Sequence, residues 1–352
     1  MVTAGTVATV PTVAPVAPAV PLEVQQLPAG RGPLSSAVLA VLAGAEDPRE
    51  LAGVADRAQR ADPYGEDLQL ALYLCYELHY RSMQGVDPDL EWDPDLLGLR
   101  RLLERPFLAA LRAEVTGGSD VDAVLEPLLL EPVSGEGPSW FLSSAGQSWH
   151  LAEYVTHRSM YHLKEADPQS WVIPRLDGQA KASLVGVQHD EYGAGRAERM
   201  HAELFRELML ELGLDATYGA YLDAVPSVTL APVNLMSMLG LHRSLRGAAL
   251  GQFAMIEVTS SPGSRRLSAA CGRLGAAVAG RRFYDEHIEA DAVHEQVIRR
   301  ELLRDLLERE PGLAADVVLG IQASLLLEDR FGEHVVGAWA AGRSSLRLPL
   351  AD

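Results

Sequence analysis

The sequence predicts an all-α protein, and three observations lead to this fold class. Apolar residues recur with helical spacing through most of the chain, as in Glu66–Arg81, where Leu70, Leu74 and Leu78 follow at intervals of four. No stretch alternates apolar and polar residues with period two for long enough to predict a strand. Glycine- and proline-rich breaks such as TGGS at 116–119 separate the periodic segments.

The chain divides into three predicted regions. Residues 1–33 are rich in Ala, Val, Pro and Thr and lack the basic start and unbroken apolar stretch of a signal peptide, so we expect a disordered tail. Residues 34–140 predict an N-terminal helical accessory region that carries none of the candidate ligands and supports a homodimer. Residues 141–352, where the helices lengthen, are expected to form the core that carries the site.

Helices are predicted in chain order from the apolar spacing and its breaks. In the first third they are Ser35–Leu42, Pro48–Ala61, Glu66–Arg81 and Asp95–Glu114, the last divided or kinked at Pro106. In the remainder they are Ser148–Lys164, Gly178–Tyr192, Arg196–Leu212, Val228–Leu245, Ala248–Val258, Ser264–Val278, Arg282–Glu308, Leu313–Leu327 and Phe331–Ala341.

Composition narrows the class of partner. The 352 residues include 48 acidic and 30 basic side chains, a formal charge of -18, which argues against a nucleic acid or an anionic membrane surface. Apolar stretches such as Val228–Leu241 contain polar residues and fall short of a membrane span. Cys75 and Cys271 form no CxxC pair and cannot staple a fold of this size, so we expect a reducing cytoplasm.

A first group of candidate metal ligands lies in the segment YDEHIEADAVHEQVIR, which begins at Tyr284. His287, Asp291 and His294 are spaced by four and three residues, which places them on one stripe of a helix. Two imidazoles and a carboxylate on one face suit an octahedral ferrous ion with open positions better than a structural zinc. A solvated acidic helix face is the alternative reading of the same residues.

A second group lies in the middle of the chain. Glu191 ends one predicted helix and His201 lies on the next, with a glycine-rich break at 192–195 between them, while Glu165 precedes the helix of Glu191. Helix bundles build diiron sites from carboxylates and histidines that project inward from neighbouring helices. Taken singly, Glu165 fits a surface position and His201 a core-edge histidine. Together the two groups offer two sets of three ligands, each able to hold one metal.

Two further features stay open at the level of sequence. Glu257 is an acidic residue within an apolar helix, where it could be a spare carboxylate ligand or support one. Arg265 and Arg266 could hold a substrate carboxylate through paired hydrogen bonds, or lie in a solvated loop. The chain has no GxGxxG, Walker, GxSxG or HExxH motif, so nucleotide-driven, serine-hydrolase and zincin chemistry lack support.

The segment HDEYGAGRAERMHAELF at 189–205 and the triplet of His287, Asp291 and His294 resemble the heme-oxygenase-like diiron oxidases and oxygenases, the iron-containing redox enzymes. That family's pattern is a Glu, a second Glu on the next helix, a His ten residues later, and then His-x3-Asp-x2-His. The matching ligands here are Glu165, Glu191, His201, His287, Asp291 and His294. The likeness covers roughly Leu70 to the C-terminus.

The resemblance implies a heme-oxygenase-like helical bundle with an N-terminal helical extension, and a centre of two irons per chain, Fe(II)/Fe(III), without heme. It also implies an oxygenase that uses O2 on a small amine or amino-acid-like substrate, with N-oxygenation favoured, in natural-product biosynthesis. The alternatives are oxidative C–C cleavage of an amino or fatty acid, and an iron- or heme-binding helical protein without turnover. An external electron donor is compatible with this chemistry.

Overall fold

The computed structural model describes residues 24–350, and these confirm the predicted all-α class. The helices are α1 Pro33–Leu42, α2 Ala55–Arg60, α3 Glu66–Glu77, α4 Pro94–Glu114, α5 Val121–Leu125, α6 Pro138–Ser144, α7 Ser148–His162, α8 Asp167–Ser170, α9 Gly178–Glu191, α10 His201–Glu211, α11 Ser227–Leu241, α12 Arg246–Arg273, α13 Val278–Val297, α14 Arg304–Arg309 and α15 Ala314–Ala340. A π-helical segment, Ile298–Leu303, joins α13 to α14. Within this range the only extended pairing is an isolated bridge between Val24 and Tyr218.

Three long helices form the frame around the site. Helix α12 packs along both α13 and α15, and α13 packs on its other side against α10. Helix α7 contacts α10 and α11, and α11 in turn packs on α3. The central position of α12 explains why it is largely buried along its 28 residues.

Two predicted helix breaks are wrong. The prediction of separate helices at 248–258 and 264–278 fails because α12 continues through Pro262, held between its neighbours α13 and α15. Burial of the helix on both sides outweighs the backbone hydrogen bond that proline removes. The predicted break between Leu327 and Phe331 is also absent, because α15 is continuous through it. The charged residues Glu328 and Arg330 in this stretch pair with Arg158 and Glu114.

The N-terminal region is part of the same packed body. Residues 1–23 of the predicted tail lie outside the described residues, but residues 24–33 contact the core: Gln25 is buried, and Arg31 pairs with Glu66 and donates to the carbonyl of Leu222. The disordered tail therefore does not extend to residue 33. One hydrophobic cluster joins apolar residues of α1, α3 and α4 to those of α11, α12 and α15, so residues 34–140 share the core of the remainder.

Within residues 24–350, one helical stretch, Pro311–Ala340, is long and apolar enough to cross a membrane by length and composition. Separate helices at 313–327 and 331–341 were predicted, so an apolar helix of this length was not expected. Its α-helical part, α15, buries Val318, Ile321 and Phe331 and packs against α11 and α12. These contacts place one side of α15 in the core, and 39% of the most apolar 18-residue window of the stretch is buried.

Candidate metal centre

Helix α13 supplies three of the candidate ligands from one stripe. His287, Asp291 and His294 are 7%, 2% and 2% exposed, so the predicted spacing turns all three inward. The exposed residues of this helix, including Glu286 and Glu289, lie on the other side. The alternative of a solvated acidic face therefore describes those glutamates and not the three candidate ligands.

The glycine-rich break brings Glu191 and His201 together. Glu191 is the last residue of α9 and His201 the first of α10, and His201 Nδ1 lies 2.8 Å from Glu191 Oε2. Between them the backbone of Gly193 has φ +68°, and a Cβ there would come within 2.6 Å of the Arg199 backbone. Only glycine fits this turn, which folds the segment onto itself so that a ligand pair ten residues apart can meet.

Glu165 lies in the turn after α7, at 8% exposure. Its Oε1 accepts a hydrogen bond from His162 Nδ1 at 2.9 Å and lies 3.6 Å from His287 Nε2. His162 is a neighbour that the sequence pattern did not reveal. It fixes the carboxylate of Glu165, whose Oε2 is buried and has no hydrogen-bond partner among the described residues.

The structure brings Glu257 of α12 to the candidate ligands. Its Oε2 lies 3.1 Å from His294 Nδ1, and its side chain is buried beside Glu191 and Asp291. Sequence reasoning left this residue open because its helix carries no second ligand to complete a pattern. The signal in the sequence was a single carboxylate within an otherwise apolar helix. A carboxylate buried in such a helix needs a hydrogen-bonding or charged partner.

Two groups of potential ligand atoms result, each with all its atoms within 4.8 Å of one another. The first group contains Glu165, Glu191, His201 and His287, and the second contains Glu191, Glu257, Asp291 and His294. All six predicted ligands are thus brought together, but the predicted division into two sets by position in the chain is wrong. Because His287 and His294 are about two helical turns apart, α13 runs past both groups and contributes to each.

Burial and like charges decide the protonation of the cluster without metal. Burial, and after it the charges of Asp291 and Glu191, raise the pKa of Glu257 to about 8. Burial lowers the pKa of His294, but hydrogen bonds with Asp291 and Glu257 outweigh it and raise that pKa to about 11. His287 behaves alike: burial opposes its charge, and the carboxylates of Asp291 and Glu165 raise its pKa well above the usual range. Without a metal ion, protons on Glu257, His287 and His294 therefore reduce the negative charge of the cluster.

The donor set fits metal ions. His287 Nδ1 donates to the carbonyl of Phe283 at 2.7 Å, which leaves Nε2 as the ligand atom. Within residues 24–350, His287 Nε2 and Glu165 Oε2 are buried atoms with no hydrogen-bond partner, and both residues belong to the first group. A buried polar atom needs a partner, and a metal would satisfy both. Carboxylate and imidazole ligands without cysteine suit iron or manganese better than structural zinc.

A cavity of about 760 Å³ opens on this cluster. Glu165, Glu191, Glu257, His287 and Asp291 line one part of it, so a bound molecule could approach the ligand atoms directly. The rest of the wall comes mainly from α6, α7, α12 and α15. Of the two arginines considered from sequence, Arg266 lines this cavity, whereas the side chain of Arg265 is 62% exposed and does not.

These features define a class of protein: an all-helical bundle with a buried site of carboxylates and histidines that can hold metal next to a substrate-sized cavity. The family model described as iron-containing redox enzyme matches residues 152–329, about half of the chain and the part that holds all seven ligand candidates. The chain belongs to this family of iron-containing oxidoreductases. A comparison with curated proteins finds no match.

Proposed function

We propose that the protein is a non-heme diiron oxygenase that uses O2 to oxidise a small amine or amino-acid-like substrate, with N-oxygenation as the favoured reaction. The observation that carries the proposal is the sharing of Glu191 by two adjoining ligand groups. A carboxylate between two sites can bridge two ions, an arrangement typical of dinuclear centres in helix bundles. Such a centre would supply the electrons that reduce O2.

The charge balance supports two ferrous ions. The two groups contain four carboxylates, from Glu165, Glu191, Glu257 and Asp291, and three imidazoles. Four negative charges and two Fe(II) give a neutral centre when the histidines are neutral. A neutral centre is favoured in a buried site, because an uncompensated charge there is costly.

Neighbouring side chains hold these ligands in place. The hydroxyl of Ser260 donates to Asp291 Oδ2, and His162 Nδ1 donates to Glu165 Oε1. Behind His294, Asp190 Oδ2 lies 3.4 Å from Nε2, on the side opposite the other ligands. Partners of this kind fix the orientation of a ligand ring or carboxylate and increase its basicity.

Oxidative C–C cleavage of an amino or fatty acid is the second candidate. Apolar side chains, including Leu267, Phe253 and Leu325, line much of the cavity, which suits a substrate with a hydrocarbon chain. A product that has lost carbon atoms would indicate this reaction, and a product that has gained oxygen on nitrogen would indicate N-oxygenation.

We further propose a cytoplasmic enzyme of natural-product biosynthesis with an external electron donor. The two cysteines support a reducing compartment, because both are free and buried.

The test is an anaerobic Fe(II) titration followed by exposure to O2. We expect close to two Fe(II) per chain, one bound more weakly, and a transient visible absorption after O2 is added. Screening amino acids and amines by mass spectrometry with the Fe(II)-loaded protein then identifies the product. Saturation without bound metal would refute the proposal. Stable iron or heme binding with no spectral change and no product would support a binding protein instead.

A further inference from the structure

The turn between α7 and α8, residues 163–166, joins the metal cluster to the N-terminal third of the chain. It is called the Glu165 turn here. Glu165 lines the cavity at the cluster. The side chain of Lys164, its neighbour in the chain, lies away from the cavity and reaches α3, where Nζ is 2.8 Å from Glu77 Oε2. Two adjacent residues of one turn thus contact the metal site and a helix outside it.

Lys164 and Glu77 form a buried ion pair. Their side chains are 1% and 0% exposed. The ammonium also lies 4.3 Å from the ring centre of Tyr80 and 4.9 Å from that of Tyr73, and Glu77 Oε1 accepts a hydrogen bond from the hydroxyl of Tyr218. Replacing a buried pair with apolar side chains of similar size is often neutral for stability, whereas the pair itself allows few alternative geometries. We therefore expect the pair to fix the position of Lys164 more than to stabilise the fold.

The backbone of the Glu165 turn is strained at Ala166. Its φ is +72°, a left-handed value that residues with a Cβ rarely adopt. Such a conformation persists only where the surroundings fix it. Ala166 is 2% exposed, and the following residue, Asp167, accepts a hydrogen bond at 2.9 Å from the hydroxyl of Tyr192, the residue after α9. The turn is therefore held at Lys164 on one side of Glu165 and at Asp167 on the other.

Glu165 depends on this support more than the other candidate ligands do. The other six of the two groups lie on α9, α10, α12 and α13, where helical hydrogen bonds fix the backbone, whereas Glu165 lies in a turn. Its Oε1 is 3.6 Å from His287 Nε2 across the cluster. Since a functional group must be held within about 0.5 Å of its productive position, a displaced turn would remove this carboxylate from the first group.

We propose that Glu77 and Lys164 are positioning residues of the metal centre, and that their ion pair fixes the Glu165 turn and so holds the carboxylate of Glu165 in the first ligand group. This inference rests on the proposed function and extends the centre to α3, a helix that contributes no ligand. It also gives the N-terminal third of the chain a part in the site, because Glu77 is the last residue of α3. A pair with a structural role alone would change the stability of the fold and leave the metal affinity of the folded protein unchanged.

The test compares Fe(II) binding by the wild type with that by a variant whose buried polar contacts are made apolar together, Glu77→Leu with Lys164→Met and Tyr218→Phe. This variant leaves neither charge of the pair and no hydroxyl at Glu77 without its partner, so we expect the fold to persist. Anaerobic titration should show one Fe(II) bound about tenfold or more weakly than in the wild type, and the other unchanged. Circular dichroism and thermal unfolding check the fold.

Co(II) in place of Fe(II) gives a spectroscopic readout, because its visible absorption depends on the number and geometry of its ligands. The bands of one of the two sites should change in the apolar variant. Arg31→Met is the matched control: Arg31 is also a buried cation paired with a glutamate of α3, Glu66, and neither residue belongs to a ligand group. It should lower the thermal stability and leave both the Fe(II) affinities and the Co(II) spectrum as in the wild type.

Wild-type Fe(II) affinities and an unchanged Co(II) spectrum in the folded apolar variant would overturn the positioning role, and so would an equal loss of affinity in Arg31→Met. Glu77→Gln keeps the shape of the side chain and is the second variant if the first does not fold. Unchanged iron binding in Glu77→Gln would likewise overturn the role. A wild type that binds no metal refutes the proposed function itself, whereas two irons in the wild type with unchanged binding in the variants refute only the positioning role.

Discussion

His294 Nδ1 lies 3.1 Å from Glu257 Oε2, a contact between α13 and α12 that completes the second ligand group. The imidazole also has Glu191 Oε1 at 3.5 Å and Asp291 Oδ1 at 3.6 Å. One ring nitrogen thus faces three carboxylates, which is stable only if a proton or a metal ion lies between them. Glu257 is therefore as much a part of the candidate centre as the residues of α13.

Replacing Glu257 with Ala should reduce the iron content from two Fe(II) per chain to one. The variant removes one of four ligands from the second group and leaves the first group complete. Anaerobic titration with a colorimetric iron assay gives the stoichiometry. Glu203→Ala is the control, because Glu203 is exposed on α10 and belongs to neither group. Two tightly bound irons in Glu257→Ala would remove this residue from the centre.

Replacing Asp291 with Ala should abolish O2-dependent chemistry and leave the fold intact. Asp291 is 2% exposed, but its polar contacts are with His294 and Ser260 of the site, whereas the bundle has its own apolar core. We expect product formation to fall by at least about a hundredfold, given the cost of losing even a neighbour of a metal ligand. Circular dichroism should be unchanged, and Glu289→Ala on the exposed face of α13 should keep its activity. Full activity of Asp291→Ala on an identified substrate would contradict the assignment.

Iron should order the part of α13 that carries its ligands. Without metal, His287, Asp291 and His294 are buried among carboxylates, and only protons compensate their charge. Metal binding is then linked to local stability. Hydrogen–deuterium exchange should slow on iron addition at residues 284–295 and stay constant in the middle of α15. Identical slow exchange with and without iron would show that the helix needs no metal.

Acid should destabilise the fold through His157, which lies outside the metal centre. Ser345 donates its hydroxyl proton to Glu153, so it accepts from His157 Nε2, and His157 Nδ1 accepts from Thr229. Burial, with the charges of His334 and Arg158, lowers the pKa of this neutral histidine from 6.5 to about 3. Below pH 6.5 the unfolded chain binds a proton that the folded chain does not, so stability falls by roughly 1.4 kcal/mol per pH unit until about pH 3.

Urea unfolding at a series of pH values measures this effect. His157→Gln should show a flatter loss of stability than the wild type between pH 6.5 and 4.5, although its stability at pH 7 is lower. His189→Gln, at an exposed position, is the control and should follow the wild-type curve. Parallel curves for His157→Gln and the wild type would assign the acid sensitivity to other groups.

The protein should be a homodimer assembled through its N-terminal third. Trp92, Leu130 and Val133 of this region are 69%, 77% and 102% exposed, so these apolar side chains are available for contact with a second copy of the chain. Light scattering at micromolar concentration should give twice the mass of the chain. Trp92→Ser should shift the equilibrium toward monomer if this side chain lies in the interface. A monomeric wild-type protein would contradict the prediction.

The sequence by itself determined the fold class and most of the candidate ligands. Helical periodicity is local, so segments such as Ser148–His162 and Gly178–Glu191 follow from the spacing of apolar residues. The stripe of His287, Asp291 and His294 is likewise local, because residues four and three apart share a helix face whatever the fold.

Only the tertiary structure decided how these residues combine. The sequence left the role of Glu257 open, and it is the packing of α12 against α13 that brings this carboxylate into the second group with His294. The continuity of α12 through Pro262 also depends on burial against its neighbours, which outweighs local propensity. The regrouping of candidate ligands around Glu191 and the link from His162 to Glu165 join residues far apart in the chain or across a turn. Such distances are fixed only when the bundle packs.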